Sequence, residues 1–199
     1  MTEHADPALI DRLHDVAQGY AEHILTLGDP VTLSFIFPAQ GGHYRVLSVP
    51  DWRDETKART LTAIQCVLIA EQAPAYAITG EVYLSNNPNA TRPSADPEAI
   101  DGLRFLVCDA RGGARFTCHR IDRDAHDARI GQVISESRSP GAAGGQMAEL
   151  LTAARGATEL TPVAAAQLLR TFATDLTIEV ATIENPVQRP GTGHGPAPH

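Results

Sequence analysis

The tightest constraint on folding in this chain is the reversal Arg111-Gly112-Gly113, set between two β-type runs, Leu103 to Ala110 and Ala114 to Ile121. Consecutive glycines supply the positive φ that a short hairpin turn demands, so the two runs are expected to pair antiparallel. A polar turn from Asp122 to Asp127 leads into another β-rich run, Ala128 to Ser135, which extends the pair to a meander. Upstream, Ala75 to Leu84 reads as a strand. Alternation puts Tyr76, Ile78, Gly80, Val82 and Leu84 on one side and Thr79, Glu81 and Tyr83 on the other. A second hairpin is expected where Val31 to Phe37 and His43 to Val49 flank the turn residues Pro38 to Gly42.

Between these β segments the apolar period changes to that of a helix. Asp6-Pro7 is a cap followed by a proline at the first helical position. Leu9, Leu13, Val16, Tyr20, Ile24 and Leu27 then draw one stripe as far as Gly28. A second helix is expected from about Asp54 to Gln72 on Leu61, Ile64, Val67 and Leu68, and shorter ones over Gln146 to Ala154 and Thr161 to Ala173. Asp175 to Ile183 fits either a last strand or a helical extension, and Ser85 to Gly102, with Pro88, Pro93 and Pro97, reads as a long loop. The fold class that follows is α+β: a mostly antiparallel sheet, built of a hairpin plus a three- or four-strand meander, covered by helices on one face. Residues 1–184 are expected to form a single domain, and the Pro/Gly-rich tail 185–199 to be disordered.

Charge and cysteine content narrow the function classes. A formal net charge of −8 argues against a broad basic face for nucleic acid, and the longest apolar runs, such as Cys66 to Ala70, fall far short of the ~20 residues of a membrane span. The acidic opening Met1-Thr2-Glu3-His4 does not resemble an export signal. Three cysteines without a C-x-x-C pair suit reduced thiols, so a cytoplasmic setting is expected. The glycines at 141, 144 and 145 lack the lysine-bearing pattern of a phosphate loop, no G-x-S-x-G occurs, and no cofactor motif is found.

Two constellations carry chemistry. Glu81, between Thr79 and Tyr83, is the candidate general base; the plainer reading pairs it with an arginine across the sheet, such as Arg104 or Arg115. Thr79, Glu81, Tyr83 and Trp52 are the candidate ligand-binding residues, the plainer reading of Trp52 being a rim anchor that packs its indole over the second helix. His119, Asp122, Asp124 and His126 are the candidate metal ligands. Alternation sets Cys118 apart from His119, and Arg120, Arg123 and Arg129 compete for the carboxylates, so a solvated turn with local ion pairs is the plainer alternative.

From Ala75 to Leu151 the order of features resembles a group of short uncharacterised proteins of bacteria and phages with a Tyr-x-x-x-Ser-Glu-x-Trp-type strand. The matching pieces are Tyr76-Ala77-Ile78-Thr79-Gly80-Glu81-Val82-Tyr83, Pro93 to Pro97, Leu103 to Asp109, Ile121 to Asp124 and Gly144 to Leu151. Gly80 stands at the serine of that pattern and Tyr83 at the tryptophan. The resemblance implies an α+β fold and brings no established activity. The functional expectation is an accessory protein that binds a protein partner or a small ligand without catalysis, and that can form a homo-oligomer through an exposed strand edge. A hydrolase-like enzyme using Glu81, or a divalent metal near His119, Asp122, Asp124 and His126, is the alternative; the sequence leaves open whether the protein is an enzyme.

Overall fold

A computed structural model describes residues 7–89, 91–124, 127–138, 147, 149–151, 161–172 and 177–184. The elements follow in the order α1 (Pro7–Thr26), β1 (Leu33–Pro38), β2 (Tyr44–Val49), α2 (Lys57–Ala70), β3 (Ala75–Leu84), β4 (Ile100–Asp109), β5 (Ala114–Arg123), β6 (Ala128–Ser137), α3 (Pro162–Phe172) and β7 (Glu179–Ile183). All seven strands join one sheet in the order β6-β5-β4-β3-β1-β2-β7, and every neighbouring pair is antiparallel. The expected α+β class, hairpin and meander are therefore present, and the ambiguous stretch before residue 184 resolves as the edge strand β7. The proposed cap Asp6 and the tail 185–199 lie outside the described residues.

The β4–β5 turn shows why this reversal is so strongly encoded. Asp109 Oδ1 accepts hydrogen bonds from the backbone N–H groups of Arg111 (2.8 Å) and Gly113 (2.7 Å), while Gly112 takes φ 88°. An aspartate that fixes the turn and a glycine free to adopt the left-handed region leave the strands one register.

The helices are arranged differently from the expectation that they cover one face. α1 packs on one face, where Leu13, Val16, Ala17 and Leu25 meet Ile36, Val46, Ala77 and Phe105. α2 packs on the other, where Leu61, Ile64 and Leu68 meet Phe35, Leu47, Tyr76 and Ile78. The central strands demand both covers: in β1, the consecutive residues Phe35 and Ile36 are each 0% exposed although their side chains point to opposite sides. Alternation identifies the two sides of a strand but not which of them is left wet. No helix among the described residues is long and apolar enough to cross a membrane.

Two buried sides make a simple prediction. Phe35→Ala and Ile36→Ala should each destabilise the protein, by ~3–5 and ~2–5 kcal/mol respectively, in denaturant unfolding. A nearly neutral result for either would mean that its face lacks a packed layer.

Candidate ligand pocket

The site grows out of one row of residues running across the sheet on the α2 side. Val49 of β2 pairs with Leu33 of β1, and Gly80 of β3 pairs with Arg104 of β4, which pairs in turn with Cys118 of β5. Gly80 also lies against β1: a β-carbon there would sit 3.2 Å from Leu33 Cα, so close backbone approach explains the glycine. The adjacent row, Leu47, Phe35, Ile78, Leu106 and Phe116, carries a large apolar side chain at every position and fills its layer. Beside Gly80 lies a cavity of about 290 Å³, bordered by Val31, Val49 and Trp52 with Arg104 and Met147 beside them.

Met147 is held there by the core. Tyr76 donates its hydroxyl to the Met147 carbonyl (2.6 Å) and accepts from the Leu150 N–H (3.3 Å), while the Gln65 amide donates to the Leu150 carbonyl (3.0 Å). Burial pushes the Tyr76 hydroxyl well above its usual pKa, which keeps it protonated as a donor.

Arg104 is the unusual member. Its Nε is buried with no hydrogen-bond partner, and the only acceptor of its Nη2 among the described residues is the Met147 sulfur at 4.0 Å. Burial pulls its pKa below the ordinary arginine value, yet a guanidinium stays charged in proteins. A partly desolvated cation without a carboxylate is a costly arrangement.

The residues singled out from the sequence fall on both sides of the sheet. Trp52 is half-buried and lines the cavity; Glu81 borders it. The Glu81 carboxylate is engaged elsewhere: Oε1 accepts from the Val31 N–H (2.9 Å) and Oε2 from Arg123 Nη2 (2.7 Å). Its arginine partner is thus Arg123 and neither Arg104 nor Arg115; Arg115 instead binds Asp11 at 2.8 Å. Thr79 is fully buried toward α1 with its hydroxyl unpartnered, and Tyr83 is 54% exposed, so neither joins Trp52.

The metal candidates do not converge. His119 is buried, donating from Nδ1 to the Gly131 carbonyl (3.4 Å), its ring edge-on to Phe105 with centroids 5.6 Å apart. Asp122 is exposed and pairs with Arg120 (3.5 Å), and the Asp124 carboxylate accepts from the Asp127 N–H (2.8 Å) within its own turn. His126 lies outside the described residues, among which no group of three or more His, Cys, Asp and Glu is arranged to hold a metal ion. A larger and more open cavity, about 460 Å³, borders Asp101, Arg120, Asp122 and Arg123, but those charges satisfy one another, Arg123 also reaching Asp101 at 3.4 Å.

Sequence reasoning missed Arg104 as a site residue. Two signals were available: a lone glycine inside a strand, which marks a close backbone approach, and an arginine at a position of β4 alternating with Leu103 and Phe105. Compared with known proteins, the chain matches no family model, no curated protein and no solved structure.

Under α1, His14 Nε2 and Thr117 Oγ1 share a hydrogen bond of 2.7 Å, while His14 Nδ1 has no hydrogen-bond partner, the Asp15 carboxylate being 3.8 Å away. Burial, helped by Arg115 and His119 and opposed by Asp15, lowers the His14 pKa from 6.5 to about 4. Between those values the unfolded chain binds a proton that the native state does not, so stability rises with pH across that window. On acidification from pH 6.5 to 4, the wild type should therefore lose stability relative to His14→Gln, by up to ~3 kcal/mol in denaturant unfolding. Parallel pH profiles would show that His14 does not titrate differently on folding.

Arg104 generates a second prediction. Arg104→Met keeps the apolar stem and removes the unpaired charge, so it should raise stability by ~1 kcal/mol or more, measured as the denaturation midpoint. A clear loss of stability would mean that Arg104 is needed by the fold itself.

Proposed function

We propose that the protein is a non-catalytic binding protein whose small ligand seats in the cavity above Gly80. The observation that carries this reading is the gap in an otherwise filled layer: the neighbouring row packs five large side chains, while this one leaves about 290 Å³ walled by Trp52, Val31 and Val49. Ligand sites are concave, mostly apolar, and carry few polar groups, and this volume is near the lower end of their ~300–1,000 Å³ range. A small ligand fits such a hollow better than a protein surface does. Catalysis by Glu81 is not part of the reading, since both carboxylate oxygens already accept hydrogen bonds from Val31 and Arg123. A cytoplasmic setting goes with it, supported by the free thiols of Cys66, Cys108 and Cys118.

Trp52 is the sole tryptophan, so its emission reports on the cavity directly. Titration with a panel of small organic acids, amines and neutral compounds should give a saturable change in Trp52 emission for at least one member. Thr32→Phe, at a half-buried residue of the lining, should abolish that change while the melting temperature is retained. A panel without effect at millimolar concentration would overturn the reading.

A further inference from the structure

Arg104 narrows what that cavity can hold. An arginine facing the buried side of a sheet normally meets a carboxylate, because a desolvated cation alone is destabilising. Here β4 places it between Gly80 and Cys118, and among the described residues no acid pairs with it. The nearby acid on β3, Glu81, belongs to the opposite side of the strand and is neutralised by Arg123. Among the described residues the guanidinium therefore has no planar acceptor where it borders the cavity.

The chemistry of the surroundings selects among anions. A phosphate or other dianion is ordinarily held by several donors, often backbone N–H groups at a helix start or a nest, and this cavity offers one cation. One guanidinium matches one carboxylate, through two parallel N–H···O bonds. The remaining lining joins Trp52, Met147, Leu33, Val49 and Pro50 to the polar Thr32, so the apolar part of the wall, with the Trp52 indole at its centre, suits an aromatic or branched body.

Resting on the reading of this cavity as a ligand site, we propose that the ligand is a small monocarboxylic acid with an aromatic or branched apolar body, its carboxylate on the Arg104 guanidinium and its body against Trp52. That no acid among the described residues pairs with Arg104 is then functional, because an internal partner would compete with the ligand. Stability lost by leaving Arg104 unpaired is recovered on binding.

The test uses phenylacetate, the isosteric neutral phenylacetamide and inorganic phosphate, each titrated by calorimetry and by Trp52 emission into the full chain and into Arg104→Met. The expected result is saturable binding of phenylacetate at least about 10-fold tighter than that of phenylacetamide, a loss of that preference in Arg104→Met, and no competition by phosphate. The melting temperature of Arg104→Met, measured alongside, separates loss of the anion contact from loss of the fold. Equal binding of acid and amide would overturn the carboxylate assignment while leaving the cavity as a ligand site. Phosphate binding tighter than phenylacetate would overturn it in favour of an oxyanion of a different class. If none of the three probes, nor any member of the wider panel, altered Trp52 emission, the ligand-site reading would fall together with the assignment.

Discussion

Burial of the central strands on both faces is the condition that the rest of this structure answers. In β1, Phe35 and Ile36 point in opposite directions and both are excluded from water; in β3, Ala77 and Ile78 do the same. A sheet of this kind is held only if each side is covered, so α1 and α2 are not interchangeable decorations of one layer but the two halves of the stabilising burial. Polar side chains in the middle of those strands, such as Ser34 and Thr79, then lie inside a core, where each must find a partner or impose a cost.

Beneath α1 that demand is met only in part, since Thr79 Oγ1, His14 Nδ1 and His119 Nε2 have no hydrogen-bond partner. His14 and Thr117 bond to each other, and Ser34, Ser48 and Tyr20 form a hydroxyl cluster in which Ser34 Oγ and Ser48 Oγ are 2.9 Å apart. Beneath α2 the same accounting fails at Arg104, and it fails beside the one position in its row that has no side chain. A glycine gap and an unpaired cation have separate structural causes, backbone approach for the first and none visible for the second. Their coincidence in one cavity is what a site for an anionic ligand would produce, whereas a core optimised for stability alone would fill the gap and neutralise or remove the charge.

How far the sequence reaches can be followed element by element. β3 was legible to the residue, because Pro74 and the proline-rich loop bracket an uninterrupted β-type run. β4 begins earlier than expected, at Ile100, because Gly102 reads as loop in sequence yet sits inside the ladder opposite Val82 and Arg120. The two-sided helix cover was not legible, since periodicity says that a stripe is buried without saying against which face. Glu81 was correctly read as an acid facing something, but its partner depends on register. Leu103 lies directly opposite Glu81, which turns Arg104 to the other side and leaves Arg123, arriving from β5, as the cation within reach. Trp52 was found from its residue type alone; Arg104 required knowing that no acid among the described residues pairs with it.

Register also explains why the strand acid belongs to the architecture of the pocket. Glu81 accepts from the Val31 N–H, and the Glu81 N–H donates to the Val31 carbonyl at 3.0 Å, so the chain ahead of β1 is fixed to β3 by two bonds at one residue. Val31 is part of the cavity wall, and the Thr32 and Leu33 backbone lies against Gly80. Arg123, reaching both Glu81 and Asp101, ties the carboxylate to the ends of β4 and β5 and compensates its charge. The acid thereby sets the distance between the lip of the cavity and its glycine floor while contributing no unbalanced negative charge to repel an anion bound at Arg104. Residues on the two faces of β3 thus serve one cavity: Gly80 lets the Leu33 backbone approach closely at its floor, and the clamp at Glu81 keeps the wall beside it in position.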